Sequence, residues 1–229
     1  MDDKDTPNVW WMEASSSDRD QTIIKPYFAD VDLKNDRLEE MAEMGRALNS
    51  HSAYPPQYVP DEFRWVLQNL SDKDRDLPDA FFSISRALVV SEAMRNTLVH
   101  FDLGTSQIFE CPLFEIKARD KMGRTEADRS KQDPRRWFIL HISEEKPALL
   151  PEKSKDLSKY PKKGSGFFRM DVPDNPGLTL SKDIALNGPH IWKQKGLSGV
   201  FFFTDTILSA IKAKGLRTHA MKFVPCRLV

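Results

Sequence analysis

The chain has 229 residues, and its 34 acidic side chains balance its 34 basic ones, so the formal net charge is zero. Hydrophobic residues make up 40% of it and charged residues 30%, which is typical of a globular protein. No apolar run approaches the roughly 20 residues that a membrane-spanning helix needs. The acidic N-terminus lacks the layout of a signal peptide, and two cysteines exclude a disulfide framework. We therefore expect a cytoplasmic protein without a membrane partner.

The charges are divided unevenly between the two ends of the chain. Residues 1–45 carry twelve acids against five bases, and residues 193–229 carry seven bases against one acid. An acidic N-terminal surface would attract a basic protein and repel nucleic acid. The sequence leaves open that the two ends neutralise each other in the folded molecule. No nucleic-acid partner is predicted, because the lysine-rich segments lack interleaved aromatic residues that would stack on bases.

The N-terminal third predicts short strands and one amphipathic helix. Strands are expected at "VWWM" and within "TIIKPYF", and the helix is expected over residues 36–48 after Asn35, a favourable N-cap. One face of this helix is apolar and the opposite face is acidic. The acidic face consists of Asp36, Glu39, Glu40 and Glu43. The prolines of residues 51–60 predict a loop, and "DEFRWVLQNL" is compatible with either a helix or a strand.

Apolar and alternating stretches predict strands in the rest of the chain. "SQIFECPLFEIKA" and "RWFILHI" are expected strands on either side of residues 119–136, which are almost wholly polar and predict a mobile loop. That loop contains Glu126, Asp128 and Asp133. Further strands are expected in "FFRMDV", "LTLSKDIAL" and "HIWKQ".

Two segments resemble each other at an offset of 113 residues. In this alignment "VSE" at 90–92 falls on "FTD" at 203–205. Each segment indicates an apolar strand, a hydroxyl N-cap, an acidic first turn, a helix and a returning strand that ends at proline. Ser91 and Thr204 are the predicted structural caps. We expect an α+β fold in which two similar strand–helix–strand units share a mixed sheet with helix 36–48 on one face; a chance likeness is the alternative.

The sequence contains no recognisable catalytic constellation. Its five histidines are scattered without metal-ligand spacing, and "KGSGF" lacks the second half of a phosphate loop. His141, Glu144 and Glu145 form the most suggestive cluster, although a half-exposed strand position explains His141 more simply. Cys111 and Cys226 are either buried structural thiols, the favoured interpretation, or a reactive pair. No catalytic residue, metal ion or cofactor is predicted.

Two stretches carry a family resemblance. "GVFFFTDTILSAIKAKGLRTHAMKFVPC" at the C-terminus and "LPDAFFSISRALVVSEAMRNTL" upstream resemble a bacterial immunity-protein family of polymorphic toxin systems, immunity protein family eleven, first catalogued as a domain of unknown function. The likeness covers residues 77–229, which are expected to form one α+β domain after an acidic segment over residues 1–76. It implies a cytoplasmic antitoxin that binds one cognate toxin domain and occludes it stoichiometrically, and it leaves the oligomeric state open.

The acidic residues suggest where such a toxin would bind. Toxins that attack nucleic acid carry basic clefts, so acidic side chains would mimic phosphates there. The predicted toxin-binding residues are Asp36, Glu39, Glu40, Glu43, Glu126, Asp128 and Asp133; the alternative is that these acids are merely solvated. Two other functions stay open: an uncharacterised enzyme on the same scaffold that uses the His141 cluster, and an adaptor or chaperone that loads an effector for secretion.

Overall fold

The fold combines mostly antiparallel sheets with short helices and is an α+β structure. The computed structural model describes residues 9–14, 27–28, 63–65, 77–82, 88–119, 125–155, 157–159, 168–170, 177–194, 196–197, 200–219 and 221–229. The predicted helix 36–48, the proline-rich loop 51–60 and the acids Asp36, Glu39, Glu40 and Glu43 lie outside these residues.

The first sheet is built from the middle of the chain. Its strand order is β4-β5-β9-β6, and every neighbouring pair is antiparallel. The strands are β4 (Ala80–Phe82), β5 (Leu88–Ser91), β6 (Gln107–Glu110) and β9 (Trp137–His141). Strands β5 and β9 are buried along their whole length, which explains their continuous apolar runs.

The second sheet joins the two ends of the sequence. Its order is β13-β14-β1-β15, again with antiparallel neighbours. The strands are β1 (Val9–Ala14), β13 (Ile191–Lys193), β14 (Phe201–Thr204) and β15 (Met221–Pro225). The prediction of a strand at "VWWM" is confirmed. The domain boundary at residue 76 stays a prediction, but one strand from the acidic segment is a central strand of this sheet.

Each sheet contains one strand–helix–strand unit. The first unit runs from β5 through α1 (Glu92–Leu98) to β6, and the second from β14 through α3 (Asp205–Ala213) to β15. We call them unit 1 and unit 2. The elements therefore follow the same order in both units, as the repeat predicts. The two units do not share one sheet. Both strands of unit 1 pair with β9 in the first sheet, and both strands of unit 2 pair with β1 in the second sheet.

A shared core joins the two units. Val90 and Leu140 of the first sheet and Phe203 of the second belong to one buried cluster, together with Met94 of α1 and Ile207 of α3. The opposite face of the second sheet lies over another cluster that includes Trp11, Trp192 and Phe202. Alternation along β1 explains this division, since Val9 and Trp11 face one core while Met12 faces the other.

A third sheet contains a hairpin where the sequence predicts a loop. Its order is β2-β3-β7-β8, with β2 (Tyr27–Phe28), β3 (Phe63–Trp65), β7 (Leu113–Arg119) and β8 (Thr125–Gln132). The predicted mobile loop over 119–136 is therefore wrong for residues 125–132, which form β8. Strand β8 is polar because it lies at an edge of this sheet, where backbone pairing with β7 holds it without an apolar run.

The remaining elements cover the second core. Strands β10 (Leu157–Lys159) and β11 (Phe168–Met170) form an antiparallel pair, and β12 (Thr179–Leu180) pairs in parallel with β16 (Arg227–Leu228). The expected strand "LTLSKDIAL" is correct only for Thr179 and Leu180. After β12, Ser181 begins the short helix α2 (Lys182–Leu186), in which Ala185 is buried and the charged residues are exposed.

Candidate functional site

The N-terminus of α1 is capped by Ser91, as predicted. The Ser91 hydroxyl accepts a hydrogen bond from the Met94 amide at 3.2 Å and donates one to Asp79 Oδ1 at 2.6 Å. The backbone amide of Ser91 donates to the carbonyl of Asp79 at 2.8 Å. Asp79 and Ser91 belong to the "PD" and "VVSE" stretches of the family resemblance. Both residues are therefore tied to the start of the same helix.

Thr204 begins α3 but does not cap it with its side chain. The Thr204 hydroxyl lies 2.8 Å from His190 Nδ1 and makes no capping hydrogen bond to the helix. The predicted capping role is therefore wrong for this hydroxyl. His190 is to unit 2 what Asp79 is to unit 1. The Thr204 amide donates to the His190 carbonyl at 3.0 Å, as the Ser91 amide donates to the Asp79 carbonyl. The Thr204 hydroxyl therefore bonds to the imidazole of His190, and α3 has no side-chain cap from Thr204.

Each unit also contacts the segment after the other unit's helix. Asp79, which binds Ser91 of unit 1, receives the Arg217 amide at 2.8 Å on Oδ2, and its own amide donates to the Arg217 carbonyl at 2.8 Å. In the reverse direction, the His190 amide donates to the Asp102 carbonyl at 2.8 Å, and the His190 ring packs edge-on against Phe101. We call these two contacts the Asp79 clasp and the His190 clasp. Together they tie the two units across the shared core.

Arginines surround the Asp79 clasp. Arg135 and Arg217 both donate to the Leu77 carbonyl, at 3.0 and 2.8 Å. Arg135 also forms a salt bridge with Asp133 at 3.1 Å. Asp133 is only 7% exposed, and its carboxylate is engaged by Arg135 just after the β7–β8 hairpin. Of the predicted toxin-binding residues, it is the one that the structure shows engaged in the interior.

The charged residues around α1 form a second network on the surface. Arg136 bridges two carboxylates, Glu92 in the first turn of α1 and Glu110 at the end of β6, each at 2.7 Å. The hydrogen bond from Arg136 lowers the pKa of Glu110. Arg95 and Arg136 also lie over the Phe138 ring, at 5.7 and 5.5 Å from its centroid. These contacts fix the helix to the sheet edge.

Strand β8 places the other two predicted toxin-binding acids. Asp128 accepts from the amide and the hydroxyl of Ser130, at 3.1 and 2.6 Å, and lies 4.0 Å from the Lys131 ammonium. Glu126 pairs opposite Ala118 in the hairpin register. The acids are accompanied by the exposed cations Arg129 and Lys131, so the described part of β8 presents mixed charge.

The His141 cluster is divided between the interior and structural hydrogen bonds. His141 is 3% exposed, so the expectation of a half-exposed strand position is wrong. It belongs to β9, which lies between two other strands and is buried on both faces. The carboxylate of Glu144 accepts from the amide and the hydroxyl of Thr105, at 2.9 and 3.1 Å. A side chain on Gly104, whose φ is 60°, would run into this carboxylate.

Two lysines are buried at the end of β13, Lys193 as its last residue and Lys146 beside it, and sequence reasoning missed both. Lys146 donates to the Ala185 carbonyl at 3.2 Å and lies 4.2 Å above the Trp192 ring. Lys193 is 8% exposed and 5.7 Å from the Phe201 ring centroid. Burial lowers the pKa of Lys146, and it lowers the pKa of Lys193 to about 8, against the opposing influence of Glu145. The only signal in the sequence was a lysine after two apolar residues in "HIWKQ".

Both cysteines are buried and neither forms a disulfide, in agreement with the favoured interpretation as structural thiols. Burial raises the pKa of Cys226, so its thiol is held in the unreactive protonated form. Within the described ranges, no group of three histidine, cysteine or acidic side chains could hold a metal ion. None of the described helices is long and apolar enough to cross a membrane.

Comparison with known proteins adds no relative to this picture. The chain matches no protein-family model and no curated protein sequence.

Proposed function

We propose that the protein is a cytoplasmic immunity protein, which binds one cognate toxin domain and blocks it by stoichiometric occlusion. The observation that carries this proposal is the contact between the two family-like stretches. Asp79 of "LPDAFF" and Ser91 of "VVSE" are hydrogen-bonded at 2.6 Å, and Asp79 also binds Arg217 of "KGLRTH". The residues of the resemblance thus support one another at a single point of the fold, as expected of a scaffold signature.

A preformed scaffold supports the proposal of a binding function. The two cores and the two clasps hold the described residues in one preformed scaffold. Binding to a preformed surface loses little conformational entropy. Buried lysines and cysteines sit inside that scaffold, and Glu144 is engaged by Thr105. Charge complementarity to a basic toxin cleft would accelerate encounter, while close packing would slow release.

The proposed toxin-facing surface is the acidic face of helix 36–48 together with Glu126 and Asp128 of β8. Asp133 is left out of this surface because it is buried against Arg135. The predicted helix would contribute four acids of one sign, whereas β8 mixes acids with Arg129 and Lys131. The helix acids are therefore expected to dominate the attraction for a basic cleft.

Co-expression tests the proposal directly. The chain would be produced with the toxin-like product of the adjacent reading frame, and growth and co-purification would be measured. Immunity predicts restored growth and a stoichiometric complex. An adaptor would co-purify without restoring growth, and an enzyme would restore growth at far below one copy per toxin. Either of these last results would overturn the proposal.

A matched pair of variants tests the surface. Glu39→Lys with Glu40→Lys reverses two helix acids, and Glu152→Lys with Asp183→Lys reverses two exposed acids elsewhere for the same change in net charge. The helix variant should lose about tenfold in association rate at low salt, and less as salt screens the field. Equal rates for the two double variants would move the interface to another face.

A further inference from the structure

Strand β1 has the same place in unit 2 that β9 has in unit 1. In unit 1 both strands of the unit pair antiparallel with β9, and in unit 2 both strands pair antiparallel with β1. The outer strands correspond too, because β4 pairs with β5 as β13 pairs with β14. Each sheet is therefore one outer strand, one unit and one strand inserted between the two strands of the unit.

The register of the inserted strand is the same in both sheets. The cap Ser91 lies opposite Trp137, the first residue of β9, and the helix-starting Thr204 lies opposite Val9, the first residue of β1. The end of each unit repeats this correspondence. The amide of Cys111 donates to the Trp137 carbonyl at 2.8 Å, and the amide of Cys226 donates to the Val9 carbonyl at 2.9 Å.

The covalent connections differ although the geometry agrees. Strand β9 follows β6 along the chain through the hairpin of β7 and β8, whereas β1 precedes every other strand. The two strands of unit 2 therefore hold their inserted strand without a direct connection to it. What holds β1 is backbone pairing on both edges and alternating apolar side chains, with Trp11 in one core and Met12 in the other. A further hydrogen bond joins Trp10 Nε1 to Asp205 at 3.0 Å.

We infer that the groove between β14 and β15 is a binding site for an extended strand whose apolar side chains alternate between the two cores, and that β1 is its separable occupant. Unit 2 is a copy of the arrangement in unit 1 in which the inserted strand is supplied from the other end of the chain. The site takes its ligand by strand addition on two edges at once, which gives affinity through main-chain hydrogen bonds and selectivity through alternate side chains.

Circular permutation of the whole chain tests the separability of β1. Residue 229 would be joined to residue 1 by a flexible linker of about ten residues, and the chain would be opened within residues 15–26, so that β1 follows β15 as β9 follows β6. We expect one cooperative thermal transition within about 5 °C of the parent, which corresponds to about 1–2 kcal/mol for a chain of this size. Amides of β1 should keep their protection from hydrogen exchange.

A matched permutant isolates the opening from the linker. With the same linker, the chain would be opened within residues 214–220, between α3 and β15, which cuts unit 2 itself and the Asp79 clasp. This protein should melt more than about 10 °C below the first permutant. Equal melting of the two permutants would overturn the inference, as would loss of protection in β1 of the first.

A peptide experiment tests the groove itself. The full-length variant Trp11→Asp places a charge in an apolar core and should release β1 from its groove. A labelled peptide of residues 7–16 should bind this variant at least about tenfold more tightly than the same peptide carrying Trp11→Asp, a difference of about 1.4 kcal/mol. Equal binding of the two peptides would contradict the assignment of the groove. If this variant fails to fold, the pair of permutants still decides the question.

Discussion

The two units carry the same backbone plan but hold it together with different chemistry. In unit 1 a carboxylate, Asp79, receives the Ser91 hydroxyl and an arginine amide, and the hydroxyl remains free to cap its helix. In unit 2 an imidazole, His190, occupies that position, and Thr204 bonds to the ring instead of the helix. A charged acceptor can serve several donors at once, whereas one ring nitrogen serves a single hydroxyl. The comparison shows that a repeated backbone does not require repeated polar contacts.

The shared core should give the largest effect. Phe203 is 3% exposed and stands in unit 2 where Val90 stands in unit 1. Truncation of Phe203 to alanine should lower the free energy of unfolding by about 3–5 kcal/mol through lost burial and the cavity left behind. Urea unfolding measures this. Val99→Ala, at a position 43% exposed, is the control and should change stability by less than about 0.5 kcal/mol. A Phe203 variant as stable as the control would show that the core is not shared.

Lys193 of β13 marks a second difference between the two sheets. The equivalent residue of the first sheet is Phe82 of β4, which stacks on Phe201. The pKa of Lys193 falls from 10.5 to about 8 on folding, so the folded protein binds fewer protons than the unfolded chain between these values. Stability should therefore rise with pH from about 8 to 10.5, by up to about 3 kcal/mol.

The variant Lys193→Met isolates this contribution. It should be more stable than the parent at pH 7, and the difference should shrink as the pH rises through the window from 8 to 10.5. Thermal or urea unfolding of both proteins at several pH values gives the difference directly, and other titrating groups, Cys226 among them, cancel in it. A difference that does not depend on pH would show that folding does not lower the pKa of Lys193.

The two clasps should differ in strength. Asp79→Ala removes a charged acceptor from Ser91 and Arg217, and should lower the free energy of unfolding by about 1.5–3 kcal/mol. His190→Ala removes one neutral hydrogen bond and an aromatic contact, and should cost about 1 kcal/mol. Unfolding in urea ranks the two variants. The reverse order would mean that the ring contact with Phe101, rather than the hydrogen bonds, determines the strength of a clasp.

The smallest effect distinguishes the two helix starts. Ser91→Ala removes a true cap and should cost about 1 kcal/mol. Thr204→Ser keeps the hydroxyl and should change stability by less than about 0.5 kcal/mol. In a His190→Ala background, Thr204→Ala should also be nearly neutral, because the Thr204 hydroxyl then has a hydrogen bond neither to the ring nor to the helix. A full capping loss there would show that the hydroxyl returns to the helix once the ring is removed.

Elements with a strong apolar pattern were predictable from the sequence, whereas polar elements were not. The strands at "VWWM", "RWFILHI" and "HIWKQ" and both unit helices are confirmed, since burial on both faces or on one helix face leaves a readable pattern. Strand β8 was missed because its polar residues are held by backbone pairing with β7, which leaves no apolar signature. The cap at Ser91 was readable from local sequence. The role of Thr204 was not, because His190 lies 14 residues away and approaches only in the folded chain.

The placement of β1 also governs when this protein can fold during synthesis. Trp10 and its hydrogen-bond partner Asp205 are 195 residues apart along the chain. Strand β1 must therefore remain unpaired until its partners β14 and β15 have been synthesised, whereas the first sheet can assemble earlier from strands that are close in sequence. Contacts of such long sequence separation slow folding and prolong the exposure of apolar strands. The tryptophans of β1 are therefore exposed in the nascent chain until β14 and β15 can pair with this strand.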